Sequence, residues 1–217
     1  MQGDRLIIGS HHLVAAERIA TMISARVATH STPYAISIAG ESGSGKSEIA
    51  QALADELARM QLKSIVLQQD DYFVYPPLTN DSRRREDIRR VGPQEVQLDW
   101  IDRNISAIVE GVDSIEKPLV FYKDNRIEIE KVDVRGCRIA IAEGTYTSLL
   151  KNVDLRLFID RTYIQTLETR HKRAREAQDP FIEHVLELEH DIIKQHKTGT
   201  DIVITADYSV HEPIRKA

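Results

Sequence analysis

Apolar positions along this chain fall into two rhythms, one of the helix and one of the buried strand. A spacing of four joins Ala15, Ile19 and Ile23 and predicts a helix over residues 11–28 with Ser10 as its N-cap. Tyr34 to Ala39 is a short apolar run that meets glycines, the pattern of a buried strand. Ser47 to Met60 carries Ile49, Leu53, Leu57 and Met60 along one helical stripe, and Ser64 to Gln69 is a second strand ending at Asp70 and Asp71. Residues 72–93, with two prolines, Asn80 and the run Arg83, Arg84, Arg85, Arg89 and Arg90, read as loop. Gln94 to Glu110 is a helix with Leu98, Ile101, Ile105 and Ile108 on its buried side, Pro93 at its start and Gly111 at its end.

The second half repeats the alternation. Residues 118–134 predict a β-hairpin around Lys123-Asp124-Asn125, and Arg138 to Ala142 a buried strand ending at Glu143-Gly144. Leu155 to Ile159 is the next strand, Tyr163 to Ala177 a polar, basic helix, and Phe181, Val185, Leu188 and Ile192 mark a further helix before a short strand, Ile202 to Ile204. Strands alternating with helices imply an α/β fold, a mostly parallel sheet covered on both faces, with ligands at the carboxyl ends of the strands. Residues 1–30 are set apart as an N-terminal helical extension and residues 31–217 as the main domain.

Composition narrows the class. Hydrophobic residues at 41% and charged residues at 29% suit a folded soluble domain rather than a disordered chain. A formal net charge of -5 disfavours nonspecific nucleic-acid binding, which needs an excess of Lys and Arg. The single cysteine, Cys137, allows no internal disulfide and reads as an apolar filler. There is no run of 18 apolar residues, and the apolar patch at Leu6–Gly9 is followed at once by His11, His12, Glu17 and Arg18. The expectation is a cytoplasmic protein with no nucleic-acid or membrane partner, acting on a small-molecule acceptor, with a homo-oligomer left open.

One segment carries specific chemistry. Gly40-Glu41-Ser42-Gly43-Ser44-Gly45-Lys46-Ser47 fits the phosphate-binding pattern G-x-x-x-x-G-K-[ST] in full. Glycines permit close backbone approach, successive N–H groups cradle phosphate oxygens, and the following helix directs its positive end at them. Lys46 reaches the β and γ phosphates and the Ser47 hydroxyl suits magnesium. Chance produces such a match on the order of once in a hundred chains of this length. The strand before it and the amphipathic helix after it make chance rarer still.

Acids and bases elsewhere fit phosphoryl transfer. Asp70, at a strand end, can accept a hydroxyl proton or hold magnesium through water, although Asp is also common in strand-end turns. Glu143, at another strand end, is a candidate for indirect magnesium binding. Arg170, Arg173 and Arg175, with Lys172, share a helix that can close over a triphosphate or remain a solvated face paired with Glu168 and Glu176. The run Arg83–Arg90 can hold a phosphorylated or acidic acceptor, or be a solvated loop balanced by Glu86 and Asp87. His11, His12, His184, His190 and His196 show no metal-ligand spacing and read as surface or helix-end residues.

Taken in order, these motifs resemble the uridine kinase and phosphoribulokinase family of P-loop kinases over roughly residues 34–205. The loop GESGSGKS, Gln69-Asp70-Asp71-Tyr72-Phe73, Gly92-Pro93 before a helix, Ala142-Glu143-Gly144 and Leu157-Phe158-Ile159-Asp160 followed by Arg170 and Arg173 are each similar to a family motif. The resemblance implies a three-layer α/β/α P-loop fold with a small β-hairpin insertion and a helical lid. It implies ATP or GTP with Mg as cofactors and Asp70 as catalytic acid-base residue. Lys46, Arg170 and Arg173 would assist transfer, and Arg175 would bind nucleotide with the loop. Tyr72 or Phe73, Asp99 and Tyr122 would lie on the acceptor side, and Ser47, Glu143 and Asp70 would serve the metal. The stretch Lys117-Pro118-Leu119-Val120-Phe121-Tyr122-Lys123-Asp124-Asn125 departs from the family: the Tyr-Asp pair and His with which its nucleoside kinases read the base are absent.

The expected function is ATP- and Mg-dependent transfer of the γ-phosphoryl group to a hydroxyl. A uridine- or cytidine-type nucleoside is the first acceptor to test, and a phosphorylated sugar or a pantothenate- or glycerate-like acid is the alternative. A non-catalytic nucleotide-binding regulator is a further alternative. A GTPase would carry Asn/Thr-Lys-x-Asp and a transporter ATPase Leu-Ser-Gly-Gly, and neither motif occurs.

Overall fold

The computed structural model describes residues 6–167, 170 and 179–213. Its centre is a six-stranded sheet built from β1 (Tyr34–Gly40), β2 (Ser64–Gln68), β5 (Ile139–Gly144), β6 (Leu155–Ile159), β7 (Ile202–Ile204) and β8 (Val210–His211), in the order β2-β5-β1-β6-β7-β8. All neighbours are parallel except β7 and β8. Every residue of β1 and β5 is buried, which explains why both read as unbroken apolar runs rather than alternating ones. A separate hairpin pairs β3 (Ser114–Phe121) with β4 (Arg126–Asp133) around the expected turn.

Helices cover both faces. On one side lie α1 (Ser10–Thr29) and α2 (Lys46–Arg59), whose Ile19, Ile23, Ile49 and Leu53 pack with Ile36 and Ile38 of β1 in one cluster. Each of these fully buried side chains contributes about 1.5–3 kcal/mol. The helix set apart as an extension thus shares its core with the sheet. On the other side α4 (Leu98–Val109) sends Ile101, Ile105 and Ile108 into a second cluster with Leu67, Ala140 and Ala142, joined by Ile193 from α5 (Pro180–Ile193). Cys137 is buried in that cluster, and burial raises its thiol pKa. No helix among the described residues is long and apolar enough to cross a membrane.

Four local expectations change, the first at α4, which starts at Leu98 rather than Gln94 because Pro93–Glu95 closes a separate 3-10 turn. The N-cap of α1 is Gly9, whose N–H donates to His12 Nδ1 at 3.0 Å, and Ser10 is already helical. The strand expected through Gln69 ends at Gln68, and Gln69–Tyr72 forms a 3-10 turn. Inside the stretch read as loop stands α3 (Pro77–Glu86). It has no apolar stripe to betray it, since Asn80 is its one buried residue, and Pro77 suits the first helical turn. Its open N-terminus is capped from outside: Asn125 Oδ1, at the hairpin tip, accepts from Leu78 N at 2.9 Å and Thr79 N at 3.3 Å.

Candidate active site

Sheet order brings the chemistry together. β2, β5 and β1 are adjacent and parallel, with Glu143 of β5 opposite Ile38 and Gln68. Their carboxyl ends therefore place Gly40–Ser47, Glu143 and Asp70 side by side. Gln69 fixes the turn that carries Asp70. Its side chain accepts from Tyr146 N at 2.7 Å and packs on Gly144, where an added Cβ would come within 2.2 Å of it.

The phosphate loop has the backbone its glycines predict. Gly43 and Gly45 have φ of +73° and +99°, a region that side chains disfavour. A Cβ on Gly43 would meet Arg170 Cγ at 2.7 Å, and one on Gly45 would meet Tyr208 Oη at 2.5 Å. Tyr208 braces the loop, donating to Ser44 O at 2.9 Å and accepting from Arg161 at 3.0 Å. Lys46 Nζ folds back onto Glu41 O at 2.9 Å, and Ser47 Oγ donates to Glu143 Oε1 at 2.9 Å. The Glu41 carboxylate faces away from the phosphate position, taking Tyr163 N and His190 Nδ1 at 2.5 and 2.7 Å.

Burial, reinforced by the charge of Asp70, pushes Glu143 up to about 7, while Lys46 and the Ser47 hydroxyl oppose the shift. The Asp70 carboxyl opens onto a cavity, yet protein crowds it on its other sides. That desolvation raises its pKa, Lys46 lowers it and Asp71 raises it. Asp71 is buried behind it, accepting from Lys117 Nζ and Val120 N, both at 3.0 Å. Lys117 also reaches Glu130 at 2.8 Å, so the base of the hairpin is tied to the turn that carries Asp70.

The cavity beside Asp70 has a volume of about 390 Å³. Of the residues expected on the acceptor side, Asp70, Phe73 and Tyr122 line it. Tyr72 does not: it is fully buried, and its hydroxyl accepts from Asn104 at 2.8 Å. Nor does Asp99, whose carboxylate is exposed on α4 and pairs with Lys151 at 3.4 Å. Asp81, Asp179 and Glu189 line it without having been singled out, beside Arg84 and Arg85 of the arginine run. They come from α3, the N-cap of α5 and α5 itself, and α3 is the helix that the pattern concealed. Arg84 is held by Glu95 at 2.6 and 2.9 Å and by Glu189 at 3.2 Å, and Arg85 by Asp81 at 2.8 Å and Asp179 at 2.6 Å.

Arg170 lies across the phosphate loop, its guanidinium bonded to Glu183 at 3.0 Å and to Tyr163 O at 3.2 Å. Lys172, Arg173, Arg175, Glu168 and Glu176 lie outside the described residues. His190 and His12 lie in helix-end turns, as expected, yet both support the loop: His190 holds Glu41, and His12 is buried beside Gly45 and Tyr208. Among the described residues no three His, Cys, Asp or Glu side chains gather to hold a metal alone. The donor chemistry nevertheless fits magnesium sharing its shell with phosphate and water. Ser47 and Glu143 are hard oxygen donors at the loop's end, and a cation would relieve the cost of ionising buried Glu143.

A family model described as Zeta toxin matches residues 17–117. The bifunctional alpha-galactosidase/sucrose kinase AgaSK of Mediterraneibacter gnavus is 31% identical over 191 residues, covering 82% of this chain and 20% of that protein. The chain therefore spans about a fifth of that relative's length. A uridine kinase of Latilactobacillus sakei is 22% identical over 184 residues, covering 79% of this chain and 85% of that one. Among solved structures, D-glycerate 3-kinase from Cryptococcus neoformans shares the fold with a TM-score of 0.62 at 10% identity, covering 94% of this chain and 100% of that one. The arrangement is the three-layer α/β/α fold of P-loop kinases.

Proposed function

We propose that this chain, a member of the uridine kinase and phosphoribulokinase-like family of P-loop kinases, transfers the γ-phosphoryl group of ATP to a hydroxyl of an uncharged polyhydroxylated molecule, with a sugar as the acceptor. The observation that carries the acceptor class is the charge of the cavity at Asp70. Its lining holds Asp70, Asp81, Asp179 and Glu189 against Arg84 and Arg85, and both arginines are already ion-paired. Such a wall offers acceptors to sugar hydroxyls and repels a phosphate or carboxylate on the substrate. The sucrose kinase named in the AgaSK relative supports the same class.

Asp70 would take the proton of the attacking hydroxyl and orient its oxygen in line with the γ-phosphorus. Its raised pKa brings it nearer the range in which a carboxylate accepts a proton readily. Lys46 would exchange the Glu41 carbonyl for phosphate oxygens, and the loop N–H groups would hold the chain of phosphates while charge shifts to the leaving ADP. Arg170, poised over Gly43, is the nearest described lid cation for the transferred group. Magnesium, when bound, would screen the β and γ oxygens, held by Ser47 and, through water, Glu143. A second reading takes a pyrimidine nucleoside as acceptor, favoured by the uridine kinase relative and by Phe73 and Tyr122 on the cavity wall.

ADP release measured against sucrose, fructose, glucose, uridine, cytidine, pantothenate, glycerate and ribulose 5-phosphate tests both readings. Stimulation by a neutral sugar supports the first and by a nucleoside the second. Preference for ribulose 5-phosphate, glycerate or pantothenate refutes the charge argument. Asp70→Asn should lower kcat by about 10²–10⁴-fold and leave ATP binding nearly intact.

A further inference from the structure

The arginine run after β2 divides between two cavities. Arg84 and Arg85 line the one at Asp70, whereas Arg83, Arg89 and Arg90 line a second of about 590 Å³ together with Val74, Tyr75 and Gln94. Asn80 of α3 lies on the wall of both. Asp70 lines only the first. The second cavity is within the size range of small-ligand sites.

Its carboxylates are already engaged. Asp87 takes Arg89 at 2.8 and 3.0 Å, and Glu95 takes Arg84, Asn80 Nδ2 and Gly92 N. Neither Arg83 nor Arg90 has a carboxylate within ion-pair distance among the described residues, although Asp87, bonded to Arg89, also attracts Arg90 from farther away. The guanidinium of Arg83 lies 4.1 Å from the centroid of the Tyr75 ring, which fixes its position. The loop that bears Arg90 is fixed as well: Gln94 Nε2 donates to the carbonyls of Arg89, Arg90 and Val91 at 3.3, 2.8 and 3.2 Å, and Val91 N donates to Ile88 O at 3.1 Å. Three guanidiniums, two of them without a close ion pair, thus outnumber the two carboxylates on this wall, in a chain of formal charge -5.

We propose that this second cavity is a binding site for a phosphate monoester, with Arg83 and Arg90 on the phosphate and Tyr75 and Val74 against the esterified group. A monoester carries about -1.5 to -2 charges near neutrality, which suits two cations that lack a close ion pair. Each planar guanidinium can give two parallel N–H donors to phosphate oxygens. The ester group takes up the remaining volume beside an aromatic and an aliphatic side chain. The site is separate from both the nucleotide loop and the acceptor cavity.

Calorimetric titration tests the site. The phosphate loop is first filled with a non-hydrolysable ATP analogue and magnesium, so that no probe binds there. Glucose 6-phosphate, uridine 5'-monophosphate and inorganic phosphate are then titrated separately, and the first two distinguish a sugar from a nucleoside ester. At least one ester should bind, more tightly than inorganic phosphate. Arg83→Gln and Arg90→Gln should each weaken it about tenfold, the loss of one charge-assisted contact. Affinity for the ATP analogue and the circular dichroism spectrum should not change. Absence of ester binding, equal binding by the double variant, binding no tighter than that of inorganic phosphate, or loss of binding in Asp70→Asn would each overturn the proposal. Because the readout is binding, it stands or falls separately from the identity of the acceptor.

Discussion

Glu143→Gln isolates the energetic cost that the nucleotide site builds into the empty protein. Burial and the neighbouring Asp70 carry the Glu143 carboxyl from an ordinary 4.5 to about 7. At ~1.4 kcal/mol for each tenfold change, holding the ionised form in that place costs about 3 kcal/mol of folding stability. The sign follows from proton binding. Between pH 4.5 and 7 the folded chain holds this proton and the unfolded chain does not. Stability therefore falls as pH rises through this window, and the full cost is present above it. Glutamine keeps a hydrogen-bonding partner for Ser47 but cannot ionise. Urea unfolding of the two proteins, with EDTA present, should be compared from pH 5 to pH 9. The variant should gain on the wild type by up to about 3 kcal/mol across that range, less if the site relaxes around the charge. Other titrating groups cancel in the difference. Added Asp70→Asn should shift the transition to lower pH, because Asp70 is the second cause of the shift. A difference between wild type and Glu143→Gln that stayed constant from pH 5 to pH 9 would refute the assignment of a strained carboxylate.

Three further substitutions probe separate parts of the site. Asp71→Ala should destabilise the protein by about 3–5 kcal/mol in urea titration, since it strands Lys117 in a buried place, with the lower end favoured because Glu130 remains. Gly45→Ala should weaken binding of a fluorescent ATP analogue and lower the midpoint of thermal unfolding. Its backbone at φ +99° costs a side chain about 1–3 kcal/mol, and the new Cβ would displace Tyr208. Asn125→Ala removes the cap of α3 and should cost about 1 kcal/mol, or about 2–4 °C in melting temperature. Its acceptor KM should rise while the KM for ATP stays constant.

What the sequence made legible follows from how each part is encoded. β1 and β5 are fully buried, so their apolar runs announced them, and the loop between β1 and α2 is one contiguous motif read by its backbone. Asp70 and Glu143 could be placed because parallel strands put their carboxyl ends together. The helix α3 was hidden because no apolar face meets the core. Its stability comes from Asn125, Glu95 and Glu189, residues 11 to 105 positions away from those they bond. Tyr72 was misassigned for a related reason: the aromatic pair at 72–73 alternates in direction, and only Phe73 turns to the cavity.

The two halves of the site therefore differ in how freely they can change. The donor half depends on glycine backbone and on strand order, so a substitution there strains the loop itself. The acceptor half is walled by α3, the hairpin and α5, and these meet through side-chain ties: Asn125 to Leu78 and Thr79, Lys117 to Asp71, Arg84 to Glu189 and Arg85 to Asp179. Each tie can be replaced without moving a phosphate-binding N–H. Arg85 shows the scale involved. It is partly exposed, and ion pairs of that kind contribute at most about 1 kcal/mol each, so exchanging one reshapes the wall at small cost to the fold. The buried ties are the exceptions: loss of Asp71 would strand Lys117, and loss of Arg84, held between Glu95 and Glu189, would leave two carboxylates facing each other. Acceptor choice should thus drift through Arg85, Asp81 and Asp179 while Arg84 and Glu95 hold α3 in place, and α3 in turn keeps the two cavities apart.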